Sequence, residues 1–415
     1  MWNIHGNTYN LNEFLDTHPG GRQILELCKN EPDCTALFES YHAFCDMNKV
    51  NSIMKKYEVP NDINTIEPMF NLKYDGFYNV CKREVIKTFG YDRTSSKSDI
   101  NWWKTVIGST LFFCFFQWFY LFYITNPFLK LLSSFLSGIT LVSLGYNVLH
   151  DGSHYAISER PFINQLSSMI IQSLLLLNHK QWSYHHCIRH HQYTGNYQLD
   201  PDMRNSTPFF RKTDKIKQSN NEFTKLHIMW KLCFFNIIFP GTMLGQSLAY
   251  HIVWARKKRL WKMKLPENYF DKWTLFQYII SFLFCVFEIY YGKFYFLTHI
   301  IGTNLGFFIG SAADHDMYDT HVQISNYDKK MDWGELQVRN SGNFMSNYPF
   351  FTKFYGGINY QIEHHMFPTL SNHKLKIISP VVKRCCKKFN IPYYTVDNPI
   401  KVFREIVRTY KDIHK

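Results

Sequence analysis

Two pairs of long apolar runs constrain this chain more than any other feature. Trp103–Thr125 and Phe128–Leu149 follow one another across an Asn126-Pro127 break, and Trp273–Tyr291 and Phe294–Ala313 follow one another later. Each is close to the roughly 20 residues a helix needs to cross a bilayer core. No water is present there to satisfy the backbone, so such runs must be helical. Two weaker runs lie between the pairs. Phe162–Leu177 is shorter and holds Asn164, Gln165 and Ser167, and His227–Val253 is interrupted by Lys231, Asn236 and Pro240-Gly241.

Histidines gather at the ends of these runs. His150 and His154 stand four apart after the second run, and His186, His190 and His191 form a second group. Gln361, His364 and His365 form a third, and His315 falls where the last run ends. Positions three or four apart share one face of a helix, so each group aims its donors at one point. One such pair is usually incidental; three groups at helix ends point to metal. Eight imidazoles and an amide exceed what one ion takes, so two ions are expected, and imidazole suits iron, copper or zinc. Asp151, Asp200, Asp202, Asp314 and Glu363 are candidates to accept imidazole N–H bonds. His179, His185, His227, His251, His299, His321 and His373 fit no group and read as ordinary polar residues.

If the groups serve one site, the chain crosses the membrane an even number of times between them. The four long runs then span, Phe162–Leu177 lies in the interface, and His227–Val253 is interfacial or re-entrant. Both termini and the histidines are expected on the cytosolic side. Composition agrees with this reading. The net charge is +13, yet residues 1–60 carry −3 and the remainder +16. The bases flank apolar runs, as at Lys257, Lys258 and Arg259 or Lys383, Arg384, Lys387 and Lys388, which suits an anionic leaflet rather than nucleic acid. Ten cysteines without paired spacing argue for a reducing compartment. No basic segment followed by an apolar core stands near Met1, so no cleavable signal is expected.

Residues 1–60 contain His18-Pro19-Gly20-Gly21 and, 24 positions after His18, His42. With Trp2, Ile4-His5-Gly6, Tyr9 and the Asp33-Cys34-Thr35-Ala36 segment, this stretch resembles a cytochrome b5 domain. The resemblance implies a b-type haem with His18 and His42 as axial ligands, in a one-electron carrier. Residues 61–100 are polar and read as a linker with an approach helix, and 101–415 as the membrane domain.

The whole chain resembles a front-end membrane fatty acid desaturase with a fused cytochrome b5 domain. The resemblance is carried by three histidine boxes, His150-Asp151-Gly152-Ser153-His154, His186 with His190-His191, and Gln361-Ile362-Glu363-His364-His365, and by Asp200-Pro201-Asp202 and Phe367-Pro368-Thr369. It implies a small α+β haem domain followed by an all-α domain of four spans, interfacial helices and a cytosolic di-metal cap. It further implies two non-haem irons, a lipid acyl substrate, molecular oxygen, NADH-cytochrome b5 reductase as electron source, and the endoplasmic reticulum membrane. The box-two spacing with Tyr193-Thr194 resembles delta-5-like and delta-4-like branches, whereas Ile362-Glu363 resembles delta-6; delta-5 is favoured. The nearest rival is a sphingolipid long-chain-base delta-8 desaturase. A fatty acyl 2-hydroxylase has more histidines in its last box, and a bare electron carrier is disfavoured because no box histidine is missing.

Overall fold

The computed structural model describes residues 1–414 apart from 30, 61–67, 91–93, 205–209, 218–226, 239–241, 261–262, 265–269 and 325–330. The Pro240-Gly241 break and the first part of the polar 61–100 stretch lie outside the described residues.

The N-terminal domain is α+β. Strand β1 (Trp2–Ile4) pairs antiparallel with β2 (Asn7–Tyr9), which pairs with β3 (Glu58–Val59). His5 and Gly6 turn the first hairpin, both with positive φ (51° and 78°), the geometry of a two-residue turn whose twist matches its strands. Strand alternation sends Trp2 and Ile4 inward. They pack with Leu27 of α1 (Arg22–Cys28), Leu37 and Phe38 of α2 (Thr35–Tyr41) and Met54 of α3 (Met47–Met54). Asp46 caps α3 by accepting from the Asn48 and Lys49 amides.

Four helices are long and apolar enough to cross a membrane, among the described residues: Thr94–Tyr123, Pro127–Ser153, Lys272–Gly292 and Tyr295–His315. They coincide with the four runs expected to span. Asn126 caps the second and Pro127 opens it, which is why this dipeptide separates two helices rather than kinking one. Leu111, Phe112, Phe122, Phe282 and Leu283 remain exposed on the bundle, an apolar belt suited to lipid. Inside, the second and fourth spans approach closely. A Cβ on Gly138 would lie 2.0 Å from the His299 carbonyl, and one on Gly302 would lie 2.3 Å from that of Phe135. The weaker runs give shorter helices, Pro161–Leu174 and Ile228–Cys233 with Thr242–Lys257 beyond it. Among the described residues, with Phe234–Ile238 continuing the second of these as a π turn, none reaches the length needed to cross.

A helical cap covers one end of the bundle. Within the stretch read as linker and approach helix, α4 (Phe77–Phe89) buries Phe77, Tyr78, Cys81 and Val85 against Trp333, Phe367, Ile378 and Val382. A short parallel pair, Asn343–Phe344 with Thr395–Val396, ties the C-terminal region beneath it.

Candidate metal centre

The histidine groups sit where helices change their winding. The second span passes into a π turn over Gly145–His150, and His154 follows its last α turn. The helix over 179–193 is π from Ser183 to His190. An i→i+5 turn lets residues four and five ahead both stand over the first, which brings His190 and His191 to the face of His186. Gln361, His364 and His365 occupy an α-helix, Gln361–Met366, as their spacing requires, and His315 is the last residue of the fourth span.

These elements bring all nine expected donors together. His150, His154, His186 and His364 each offer a nitrogen, all within 4.8 Å of one another. His191 joins them, with Nε2 3.0 Å from that of His364 and 3.3 Å from that of His186. A second group is His190, His315 and His365, with the Gln361 amide 2.9 Å from His315 Nε2. The nine side chains are buried except for half-buried His315.

The proton arrangement of the second group calls for a cation. His190 Nδ1–H donates to Asp200 at 3.1 Å, and His315 Nδ1–H donates to the Asn340 carbonyl at 2.8 Å. Their Nε2 atoms, 3.1 Å apart, then both carry lone pairs. His365 Nδ1–H donates to Gln337 Oε1 at 2.9 Å, and its Nε2 is buried without a hydrogen bond, as is Gln361 Oε1. Converging buried lone pairs repel, and an ion between them removes both the repulsion and the unmet hydrogen bonds.

In the first group, His150 Nδ1 meets the Asn372 side-chain amide at 3.0 Å and its Nε2 lies 3.0 Å from that of His186. His154 Nδ1 meets the Tyr41 hydroxyl at 3.0 Å. Burial first, and neighbouring imidazoles second, hold His154, His186, His191, His364 and His365 well below the usual imidazole range. They are therefore neutral at pH 7, the state a metal needs. The direction of the shift differs at His190, where Asp200 and Asp202 outweigh burial and raise it.

Of the acids singled out from the sequence, Asp200 and Asp202 meet box histidines. Asp151 acts at one remove, accepting from Ser371 and from the Asn372 amide, while Glu363 accepts from Asn343 and Tyr393 instead. His185, beside His186, turns away to Tyr250 and Asp202, and His179 pairs with Gln23. Sequence reasoning missed Tyr41, Gln337, Asn340 and Asn372, which lie outside the boxes and follow no spacing relative to them. It also missed Trp182, whose ring stacks 4.7 Å from His186; its position one turn before that histidine was the available signal.

In the N-terminal domain, His18 Nδ1–H donates to the Gly21 carbonyl at 3.2 Å and His42 Nδ1–H to the Phe38 carbonyl at 2.8 Å. Both therefore present Nε2 as a lone-pair donor. Their ring centroids are 6.2 Å apart, close to twice the sum of a ~2 Å metal–nitrogen bond and the ring radius. The two line a mostly apolar cavity of about 410 Å³ with Leu37, Phe38 and Met54, a cradle that fits a haem.

Comparison with known proteins matches the two regions to two families. The family model described as "Cytochrome b5-like Heme/Steroid binding domain" matches residues 1–61, and that described as "Fatty acid desaturase" matches 125–397. The acyl-lipid (8-3)-desaturase B of Dictyostelium discoideum is 25% identical, covering 94% of this chain and 86% of its own. The delta(5) fatty acid desaturase A of the same organism is 26% identical, over 95% and 86%. The chloroplastic acyl-lipid (7-3)-desaturase of Chlamydomonas reinhardtii is 27% identical, over 98% and 79%. With the desaturase match spanning well over half its length, the chain belongs to the fatty acid desaturase family, as a membrane oxidoreductase carrying a cytochrome b5 domain at its N-terminal end.

Proposed function

We propose that this desaturase inserts a cis double bond into a polyunsaturated fatty acyl chain, between existing unsaturation and the carboxyl end. The observation that carries the reading is the convergence of eight imidazoles and one amide at the end of a four-span bundle, against a haem-type domain. The delta-5 position is favoured over delta-6 and delta-4, supported by the (8-3) and delta(5) designations of similar proteins. The proposed division is a haem domain over 1–60, a connecting segment over 61–100 and a desaturase domain over 101–415.

Two iron ions are proposed at the centre. His150, His154, His186, His191 and His364 hold one, and His190, His315, Gln361 and His365 hold the other; His18 and His42 hold a b-type haem. Bound irons would supply the activation of molecular oxygen for removing two hydrogens from adjacent methylenes; one O2, those two hydrogens, two electrons and two protons give two waters per double bond. The protein's own residues do the rest. Asp200, Asn340 and Gln337 take the Nδ1 protons and so fix ring orientation. Burial keeps the imidazoles neutral, and the apolar spans exclude water and seat the acyl chain so that one C–C pair faces the centre. Electrons come from NADH-cytochrome b5 reductase. The proposed location is the endoplasmic reticulum membrane with termini and centre cytosolic, supported by the bases flanking the cap.

The test is fatty acid profiling of yeast expressing the chain and fed 18- and 20-carbon polyunsaturated acids, beside a His364→Ala control. A new unsaturated product, lost in the control, is expected, and its double-bond position names the regiochemistry. No new acyl product from a haem-loaded chain, with a new bond in the sphingoid base, would replace this reading by the long-chain-base one.

A further inference from the structure

The haem-type domain is built into the wall of the metal centre. Tyr184 and Ile188, on the helix that bears the second histidine group, belong to the same apolar core as Trp2, Leu27 and Phe38. Arg189, between His186 and His190, makes an ion pair with Glu31 in which both side chains are 5% exposed or less. The Gln192 amide donates to the Asp33 carbonyl, and the Tyr184 hydroxyl to Glu31 at 3.3 Å. A single helix therefore turns His186, His190 and His191 toward the metal centre and Tyr184, Ile188, Arg189 and Gln192 toward the haem domain. A charge pair this deeply buried is costly to separate, so the two domains stay docked.

Within this contact one side chain reaches a box histidine. Tyr41 closes α2, and its hydroxyl lies 3.0 Å from Nδ1 of fully buried His154 and 3.5 Å from the Cys187 carbonyl. If Nε2 of His154 is the ligand atom, Nδ1 carries the proton and donates it to the Tyr41 oxygen. The Tyr41 hydroxyl then donates onward to Cys187. Carboxylates and carbonyls do this work for His190, His315 and His365; for His154 the acceptor comes from the haem domain. The residue covalently next to Tyr41 is His42.

We propose that Tyr41 is the positioning residue by which the haem domain acts on the metal centre: its hydroxyl fixes the His154 imidazole, and the Tyr41–His42 peptide link joins that contact directly to an expected haem ligand. The inference rests on the metal and haem assignments above. Each transfer along it oxidises one ferrous haem to ferric and reduces one metal ion by one electron. Tyr41 and His154 keep their protons and no bond is made or broken. The haem is re-reduced by a nicotinamide-dependent flavoprotein, or by dithionite in the test.

The experiment uses the full chain in lipid nanodiscs, loaded with haem and iron. Two readouts are taken: the rate at which dithionite-reduced haem reoxidises on mixing with oxygen and acyl substrate, followed by its absorption, and iron retained under chelator challenge. Tyr41→Phe keeps the ring and loses the acceptor, and Tyr41→Gln restores an acceptor without the ring. Tyr41→Phe is expected to slow haem reoxidation, or hasten iron loss, by about ten-fold or more, and Tyr41→Gln to recover the iron retention. Chelator-challenge retention needs no haem, so it decides the matter even if the Phe variant binds haem poorly. Wild-type behaviour of Tyr41→Phe in both readouts overturns the proposal. A wild-type chain that retains no iron overturns the metal assignment itself, which keeps the two failures apart.

Discussion

At the scale of single residues, the centre depends on where each imidazole proton goes. His150 shows this most simply, because its Nδ1 meets one side-chain amide, that of Asn372. The amide's O and N are set by the network, and with Oδ1 toward His150 the otherwise unpartnered oxygen accepts the proton. Asn372→Leu keeps the volume and removes the acceptor. Iron affinity is expected to fall about 10- to 100-fold, measured by iron content after dialysis, while the haem absorption spectrum stays unchanged. The imidazole spacings were legible in the sequence, but Asn372 was not. It reaches His150 from 222 positions away, and a single asparagine after a family segment carries no periodic signal.

At the scale of elements, helices fix the site only if the spans that carry it meet closely. His150 lies in the last turns of the second span and His315 ends the fourth, and these two spans pack through Gly138 and Gly302. A Cβ at Gly138 would sit 2.0 Å from the His299 backbone carbonyl, and a backbone atom cannot rotate aside as a side chain can. Gly138→Val is therefore expected to push the spans apart and to abolish a monodisperse, haem-bearing peak in detergent size-exclusion chromatography. Gly108, with nothing within 4 Å of its Cβ position, tolerates the same change and serves as the control. The number and order of spans were legible because bilayer thickness imposes run length. The π turns at Gly145–His150 and Ser183–His190 were not, since an i→i+5 turn arises from packing rather than from a residue pattern.

At the scale of the whole molecule, the two domains act as one body, and a buried ion pair makes their union sensitive to acid. Glu39 of the haem domain sits between His5 and Lys82 of α4. Burial alone raises its carboxyl, but the His5 hydrogen bond and the Lys82 charge and hydrogen bond win, holding it at about 2. A carboxyl held below its unfolded value of 4.5 contributes stability fully above that pH and loses it as pH falls toward 2. Glu39→Gln is thus expected to cost roughly 2–3 kcal/mol at pH 7. Its apparent melting midpoint should fall less than the wild-type midpoint between about pH 5 and about pH 3. Equal acid sensitivity of the two chains in a thermal melt would remove Glu39 from this role. By itself the sequence determined what is local: four helices from run length, and donor faces from spacings of three and four residues. Only the tertiary structure decided which nitrogens face each other, which groups take their protons, and that Tyr41 of the haem domain touches His154. Those contacts join residues at separations as different as 10 and 222 positions and at no regular interval, and packing selects them without leaving a periodic trace in the chain.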